Sequence, residues 1–324
     1  MTIRFDGVLF FPVTPFNAVG EVDLAVFREH VATRLESGPG AVFPACGTGE
    51  FHALTVAEAL AVTRAAVEVT AGRVPVVAGA GGSLGQAREL ARGAEEAGAD
   101  ALLLLPPYLV AGPLAGLMAY VDEVAAASAL PVIVYHRGTA RFTADAMREL
   151  VNNPKIIGFK DGIGDVGLAQ EIALAVAESG RDDFHLFNGL LTAELTQGAY
   201  RAIGIPLYSS AAFAMLPEIA LAYYRAYTAG DELVRQRILR EFYVPLVRLR
   251  DETPGFGVSL IKAGLRLSGL DVGSVRAPLV DPTSEQTARL ADILSAGRTL
   301  AAELVTASAL AEALIPGHDH DFQP

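Results

Sequence analysis

The chain has 324 residues, 52% hydrophobic and 19% charged, with 25 Lys+Arg against 37 Asp+Glu and a formal net charge of −12. This composition provides for a large core and excludes a disordered chain, and the acidic balance argues against a nucleic-acid partner, whose footprint is clustered basic charge. The single cysteine, Cys46, excludes an internal disulfide, and no CxxC or Cys/His cluster offers a structural zinc site, so a reducing cytoplasm fits.

The first apolar run, Val8 to Val13, is short, contains Pro12 and follows Asp6 rather than a basic region, which argues against a signal peptide. No uncharged apolar run approaches the roughly 18 residues a membrane helix needs, so the expectation is a cytoplasmic protein with no membrane partner. From there one pattern recurs eight times: a short, often β-branched apolar run, a Gly/Pro/Ser/Thr-rich turn, then an Ala/Leu/Arg/Glu segment of helical period. The predicted strands are Gly7–Val13, Ala41–Ala45, Pro75–Ala78, Ala99–Leu105, Pro131–Tyr135, Ile156–Lys160, His185–Asn188 and Ala202–Tyr208. The predicted helices are Val22–Ser37, Val56–Ala71, Leu84–Ala97, Leu114–Ala127, Ala144–Val151, Val166–Glu178, Ala193–Arg201 and Phe213–Ala229. Thr55, with Glu58 three residues on, forms a helix-start signature.

Strands that are apolar throughout belong to a parallel sheet covered on both faces, and eight consecutive units make a closed (β/α)8 TIM barrel the economical fold. An open doubly wound sheet is the rival, but no switch point or second domain is marked. After Asp231 the alternation stops, and Glu232–Arg250, Phe256–Leu267 and Thr283–Val305 read as further helices. The expected organisation is a catalytic barrel over residues 1–230 with a C-terminal helical extension over 231–324. The tail motif His318-Asp319-His320-Asp321 could take a stray metal, though a frayed terminus is the plainer reading.

Catalytic groups of such barrels gather at the C-terminal ends of the strands. That rule selects Pro12–Pro15, Gly47–Glu50, Gly79–Gly82, Pro106–Tyr108, Tyr135–Arg137, Lys160–Asp161, Asn188–Gly189 and Tyr208–Ser210. Lys160 stands out within KIIGFKDGIGD. Only Lys155, Lys160 and Lys262 are lysines, so basic charge is otherwise arginine. An amine, unlike a guanidinium, can lose its proton in an apolar site and attack a carbonyl; the plainer role is a solvated strand end. Tyr135 ends the neighbouring strand, which would bring an amine and a phenol to one cavity.

With FPVTPF at 11–16, GTGEF at 47–51, the tyrosine ending PVIVY at 131–135 and the lysine of GFKDGIGD at 158–165, the chain resembles the class I, Schiff-base-forming lyases, the family that includes dihydrodipicolinate synthase and N-acetylneuraminate lyase. The likeness covers essentially the whole chain. ACGTGEF, YHRG, FNG and LYSSA make it most similar to the branch that turns 5-dehydro-4-deoxyglucarate into 2,5-dioxopentanoate, water and carbon dioxide. The resemblance implies that Lys160 forms the Schiff base and Tyr135 shuttles protons, with no metal or organic cofactor. It implies that Thr48 and the neighbouring Gly49 amide hold the carboxylate beside the ketone of a small sugar acid. Tyr108 matches a tyrosine that in relatives can reach a neighbouring subunit's site, and similar proteins are homo-oligomers, tetramers or dimers. Gly47 departs from the pattern, because many relatives carry a relay threonine there.

Arg137 is a candidate clamp for the distal carboxylate, since guanidinium binds an oxyanion bidentately; a surface arginine is its alternative. Asn188, Ser209 and Ser210 could hydrogen-bond substrate hydroxyls or equally cap a helix or a turn. His136 receives no role, and Asp165 is expected to start a helix. Three other readings stay open: a Schiff-base aldolase or synthase acting on pyruvate or another 2-keto-3-deoxy acid, a serine hydrolase using Ser83 of the GxSxG run at 81–85, and a non-catalytic barrel. Gly79, Gly81 and Gly85 do not form a GxGxxG, and Cys46 reads as a small buried hydrophobe.

Overall fold

Eight parallel strands follow one another around a closed ring in the computed structural model, which describes residues 3–313. They are β1 (Leu9–Phe10), β2 (Ala41–Val42), β3 (Val77–Gly82), β4 (Ala101–Pro107), β5 (Val132–His136), β6 (Ile156–Asp161), β7 (His185–Asn188) and β8 (Leu207–Ser210). Each strand pairs with its successor from β3 to β8, β8 pairs with β1, and β1 with β2. A parallel bridge between Val42 and Val76 closes the ring, with the Val42 amide donating to the Pro75 carbonyl at 2.9 Å. This is the expected (β/α)8 barrel.

Alternate side chains of each strand face the lumen and the helices. Phe11, Phe43, Leu103, Ile133, Tyr135 and Phe187 fall in the inner core, while Phe10, Val42, Leu102, Val134 and Phe159 belong to the outer one. Register places Tyr135 beside Lys160 and Lys160 beside Phe187, so three consecutive strands point these groups inward at one level. Below them Phe5 meets Phe187 edge to face at 5.3 Å, and Phe11 stacks on Phe43 at 4.4 Å. These rings pack with aliphatic neighbours such as Leu9, Val77, Leu103 and Ile133 to fill the inner core of the barrel.

The surrounding helices are α1 (Leu24–Leu35), α2 (Val56–Thr70), α3 (Leu84–Glu96), α4 (Leu114–Ala125), α5 (Ala144–Leu150), α6 (Val166–Glu178), α7 (Gln197–Ala202), α8 (Ala212–Met215) and α9 (Pro217–Ala229). Capping chemistry fixes their starts. Thr55 and Glu58 close a reciprocal capping box on α2, and Asp165 accepts from the Leu168 amide at 3.1 Å on α6. After α9 come α10 (Glu232–Ile238), a π-helical turn (Leu239–Tyr243), α11 (Val244–Arg250), α12 (Phe256–Leu267) and α13 (Ser284–Ala313). None of the described helices is long and apolar enough to cross a membrane.

Several boundaries differ from those expected, each for a local reason. The expected eighth strand begins inside α7: Ala202 is the last helical residue, Gly204 turns the chain at φ +91°, and pairing starts only at Leu207. The helix expected over 193–201 starts as a 3₁₀ turn, Ala193–Leu195, before α7. Pro217 divides the one expected over 213–229, because proline has no N–H for the preceding turn and instead opens α9. Pro245 likewise stands where Glu232–Arg250 was expected to run unbroken, next to the π turn. The His318–Asp321 motif lies outside the described residues.

Candidate active site

The lumen opens at the C-terminal ends of the strands into a cavity of about 1110 Å³, whose lining includes Lys160, Tyr135, Arg137, Thr48 and Ser209. Lys160 is 5% exposed and rises from β6 onto an aromatic floor, its Nζ 4.1 Å from the centre of the Phe11 ring and 4.7 Å from that of Tyr135. Burial lowers the amine from its usual value to about 7; the nearby Arg137 charge pushes the same way and Cys46 opposes it. The charged neighbours acting on it include no carboxylate. An amine of this kind is neutral for a substantial fraction of the time near neutrality, the condition for attack on a ketone.

Gly189, just beyond β7, makes the room for this side chain. A Cβ at that position would stand 2.6 Å from Cγ and 2.7 Å from Cε of Lys160. Gly158, one inward step below Lys160 on β6, is equally confined, since its Cβ would meet the Phe187 ring at 2.9 Å.

The Tyr135 phenol has two partners at one oxygen. It donates to the Gly189 carbonyl at 2.8 Å and accepts from Arg137 Nη1 at 2.8 Å. Burial raises the phenol above its ordinary value, and Arg137 counters by charge and hydrogen bond. Arg137 itself is fixed by a tight turn: its amide donates to the Ala140 carbonyl at 3.1 Å, its carbonyl accepts from the Ala140 amide at 3.0 Å, and Gly138 supplies the positive φ of +57°. Arg137 is thus a cavity residue tied to the phenol.

Behind the site, on the outer face of the strands, Asp161 accepts from the Ile163 amide at 3.0 Å, the Gly164 amide at 3.3 Å and the Tyr200 hydroxyl. This clasps the GIGD turn that follows Lys160. His136 also points outward, wedged edge to face against Phe159 at 5.4 Å. Burial keeps its imidazole below the ordinary value, and it stays out of the lumen.

Thr48 reaches the cavity from the turn after β2. Beside it, Gly49 is buried: a Cβ there would lie 3.2 Å from both the Ala45 amide nitrogen and the Pro12 carbonyl oxygen, and the Gly49 carbonyl accepts from Thr14 Oγ1 at 2.7 Å. Gly47 is exposed, and a Cβ there would meet nothing within 4 Å. The next residue, Glu50, adopts the left-handed conformation and turns its carboxylate inward onto Lys262 of α12, at 2.6 Å with both side chains 0% exposed. Glu50 Oε2 also accepts from the Arg276 amide at 2.9 Å. The turn carrying Thr48 is therefore anchored to the C-terminal helices rather than to the barrel alone.

The serines and asparagine separate by strand parity. Ser209 faces the cavity, whereas Asn188 and Ser210 face the helical layer. Asn188 Nδ2 donates to the Ala193 carbonyl, Thr196 Oγ1 and Gln197 Oε1 at 2.9–3.2 Å. Ser210 Oγ donates to the buried Glu194 at 2.6 Å and accepts from the Phe213 amide at 3.3 Å. Both satisfy local backbone and side-chain groups, so of the alternatives open in the sequence the structure gives them the scaffolding one. Tyr108, 73% exposed, stands on the rim beside the exposed Leu109 and Val110.

Ser83 is the N-cap of α3: its hydroxyl donates to Gln86 Oε1 at 3.0 Å and accepts from the Gln86 amide at 3.3 Å. That geometry replaces the nucleophile elbow that GxSxG suggests. Cys46 is fully buried at the lumen wall, with its thiol pushed up to about 12, so it is the inert hydrophobe expected.

Sequence reasoning did not find Arg250. It ends α11, lines the same cavity and donates through Nη1 to Thr192 Oγ1 at 2.7 Å and through Nε to Asp251 Oδ1 at 2.8 Å. An arginine at a helix end 90 positions from Lys160 carries no signal that would place it there. Lys262, by contrast, was visible as one of three lysines, but not as the partner of Glu50.

The sequence model of the Dihydrodipicolinate synthetase family matches residues 4–297. A "Probable 5-dehydro-4-deoxyglucarate dehydratase" of Streptomyces griseus is 53% identical over 298 residues, covering 92% of this chain and 93% of that one. One of the same name from Paracidovorax citrulli is 41% identical over 290 residues, covering 89% and 94%. Among solved structures, dihydrodipicolinate synthase from Oceanobacillus iheyensis superposes with a TM-score of 0.84 at 27% identity, over 91% of this chain and 97% of that one.

Proposed function

This chain belongs to the dihydrodipicolinate synthetase family, and from that premise we propose that it is a decarboxylating dehydratase of 5-dehydro-4-deoxyglucarate, working through an imine on Lys160. The observation that carries the reading is the buried amine of Lys160, set on Phe11 beside the Tyr135 phenol at the base of a cavity large enough for a six-carbon diacid. An amine and a phenol side by side in a buried cavity support imine chemistry at this pair.

The reaction begins when neutral Lys160 adds to the C5 ketone and the ketone oxygen leaves as water with the proton of the Tyr135 phenol, giving an iminium and a phenolate. The phenolate takes a proton from C4 and passes it to the C3 hydroxyl, which departs as water, and the product is an unsaturated iminium. Loss of the C1 carboxylate as carbon dioxide sends its electron pair along the conjugated chain into the same iminium. Protonation and hydrolysis then return Lys160 and release 2,5-dioxopentanoate, so that one water and one carbon dioxide are lost overall. Lysine and tyrosine suffice for these steps, and no cofactor is called for.

In this reading Thr48, which lines the cavity, receives the carboxylate next to the ketone together with the amide of the following Gly49. Arg137, through the N–H groups that Tyr135 leaves free, and Arg250 make the positive wall that orients the distal carboxylate. Ser209, which lines the cavity, is assigned to hydrogen-bond the C2 or C3 hydroxyl in this reading. Residues 1–230 act as the catalytic barrel, and the helices after 230 complete its rim. We place the enzyme in the cytoplasm, in sugar-acid catabolism, as a homo-oligomer of two or four copies in which a second copy covers the Tyr108–Val110 rim.

Borohydride reduction with substrate, followed by intact mass, tests the imine: an adduct absent from wild type, or undiminished in Lys160→Ala, removes the reading. Product analysis then separates the branches. Carbon dioxide from 5-dehydro-4-deoxyglucarate marks the dehydratase and pyruvate from a sugar acid marks the aldolase, while light scattering gives the number of copies.

A further inference from the structure

We propose that Arg137 is the positioning residue for the proton chemistry of Tyr135, its Nη1 donating to the phenol oxygen so that a phenolate can form inside the cavity and hand its proton on. The inference rests on the imine reading for the identity of the substrate, but its geometry does not. Among the described residues the phenol oxygen has two partners, the Arg137 guanidinium and the Gly189 carbonyl, each at 2.8 Å. A carbonyl accepts a hydrogen bond but cannot carry a proton onward. The donor that remains to steady a negative oxygen is Arg137.

The surroundings make that donor necessary. Tyr135 is 5% exposed, and the ionisable groups that face it are Lys160 across its ring at 4.7 Å, Cys46 from the end of β2 and Asp161 on the far side of β6. Asp161 opposes a phenolate, and Lys160 loses its charge when it is ready to react. Arg137 alone keeps a fixed positive charge in contact with the oxygen. The Arg137–Ala140 turn holds it there before any substrate arrives.

The proton balance closes around this pair. With the iminium formed, the phenolate takes the C4 proton to give a neutral enamine and a neutral phenol. The phenol then gives that proton to the departing C3 hydroxyl, restoring iminium and phenolate. Arg137 compensates the oxygen at both ends of the cycle.

The test compares Arg137→Met, Arg137→Gln and Arg137→Lys by ¹³C-tyrosine NMR of the free enzyme, with the Tyr135 signal assigned by its loss in Tyr135→Phe. Arg137→Met and Arg137→Gln should move the Tyr135 titration to higher pH and lower kcat on the order of tenfold or more with a smaller change in KM, while Arg137→Lys keeps most of both. A Tyr135 titration unmoved in Arg137→Met and Arg137→Gln, with the loss confined to KM, overturns the proposal and leaves Arg137 a substrate anchor. Because the titration uses no substrate, a failed borohydride trap would sink the function while leaving this result to be judged separately.

Discussion

Lys160 Nζ and the Phe11 ring stand 4.1 Å apart, an amine over an aromatic face in a lumen where the charge acting on it is the Arg137 guanidinium. The contact tolerates a proton on the amine but does not hold it there. With the lysine brought down to about 7, the nucleophilic form is present above that pH and lost below it. We expect kcat/KM to rise with pH and level off above about 7. In Lys160→Arg the activity falls to background, because arginine keeps its proton. A pH profile of kcat/KM checks the first statement and single-turnover trapping the second.

The same lowered value makes Lys160 a cost to the fold. Its folded-state affinity for a proton lies below the unfolded one, so the penalty is fully present up to about 7 and is relieved as the pH climbs toward the unfolded value of 10.5. Lys160→Met should therefore be inactive yet more stable by roughly 4 kcal/mol at neutral pH. The gain should shrink as the pH is raised to about 10. Urea unfolding of both proteins at several pH values measures it, and a gain that grows with pH would contradict the assignment.

Gly189 and Gly47 make a paired experiment. Gly189→Ala puts a methyl 2.6 Å from the Lys160 side chain and should abolish the borohydride adduct while circular dichroism stays native. Gly47→Thr meets open space and should leave melting temperature and adduct formation unchanged. An intact adduct in Gly189→Ala would show that the lysine reacts from another rotamer.

Lys262→Met strands the Glu50 carboxylate in the core and should destabilise by about 3–5 kcal/mol, with KM rising as the Thr48 turn loosens. Adding Glu50→Gln should recover much of the stability, because both charges are then gone. Thermal unfolding and KM for the two variants test this; no recovery in the double mutant would mean that the pair acts through packing rather than charge.

Strand parity predicts opposite phenotypes for neighbouring residues. Ser209→Ala should raise KM several-fold without changing stability, whereas Ser210→Ala and Asn188→Ala should lower stability by about 1–3 kcal/mol and leave the kinetics of the folded enzyme close to wild type. Steady-state rates and melting curves separate the two classes.

That parity also marks the limit of what the sequence displays. Eight apolar runs with turns between them disclose the barrel and put Lys160 and Tyr135 at strand ends. In a parallel sheet buried on both faces, though, apolar residues point both ways, so nothing in LYSS or FNG tells the inward serine from the outward one. Short polar residues compound this, since a hydroxyl that caps a helix and one that meets substrate look identical in a string. Long-range ties are harder still: the Glu50–Lys262 pair joins positions 212 apart, and Arg250 reaches the cavity from a helix outside the repeat. GTGE is legible as a site turn, but what holds that turn in place is legible only in three dimensions.

The aromatic packing below Lys160 has a further consequence. Phe5, Phe43 and Phe187 pack together inside the barrel, and the cavity opens at the C-terminal ends of the strands. In the proposed reaction, water and carbon dioxide then leave past the carbon chain tethered to the lysine, and the water that cuts the tether comes in over that chain. The release of the five-carbon product is thus the last event of each turnover, and the small products go ahead of it.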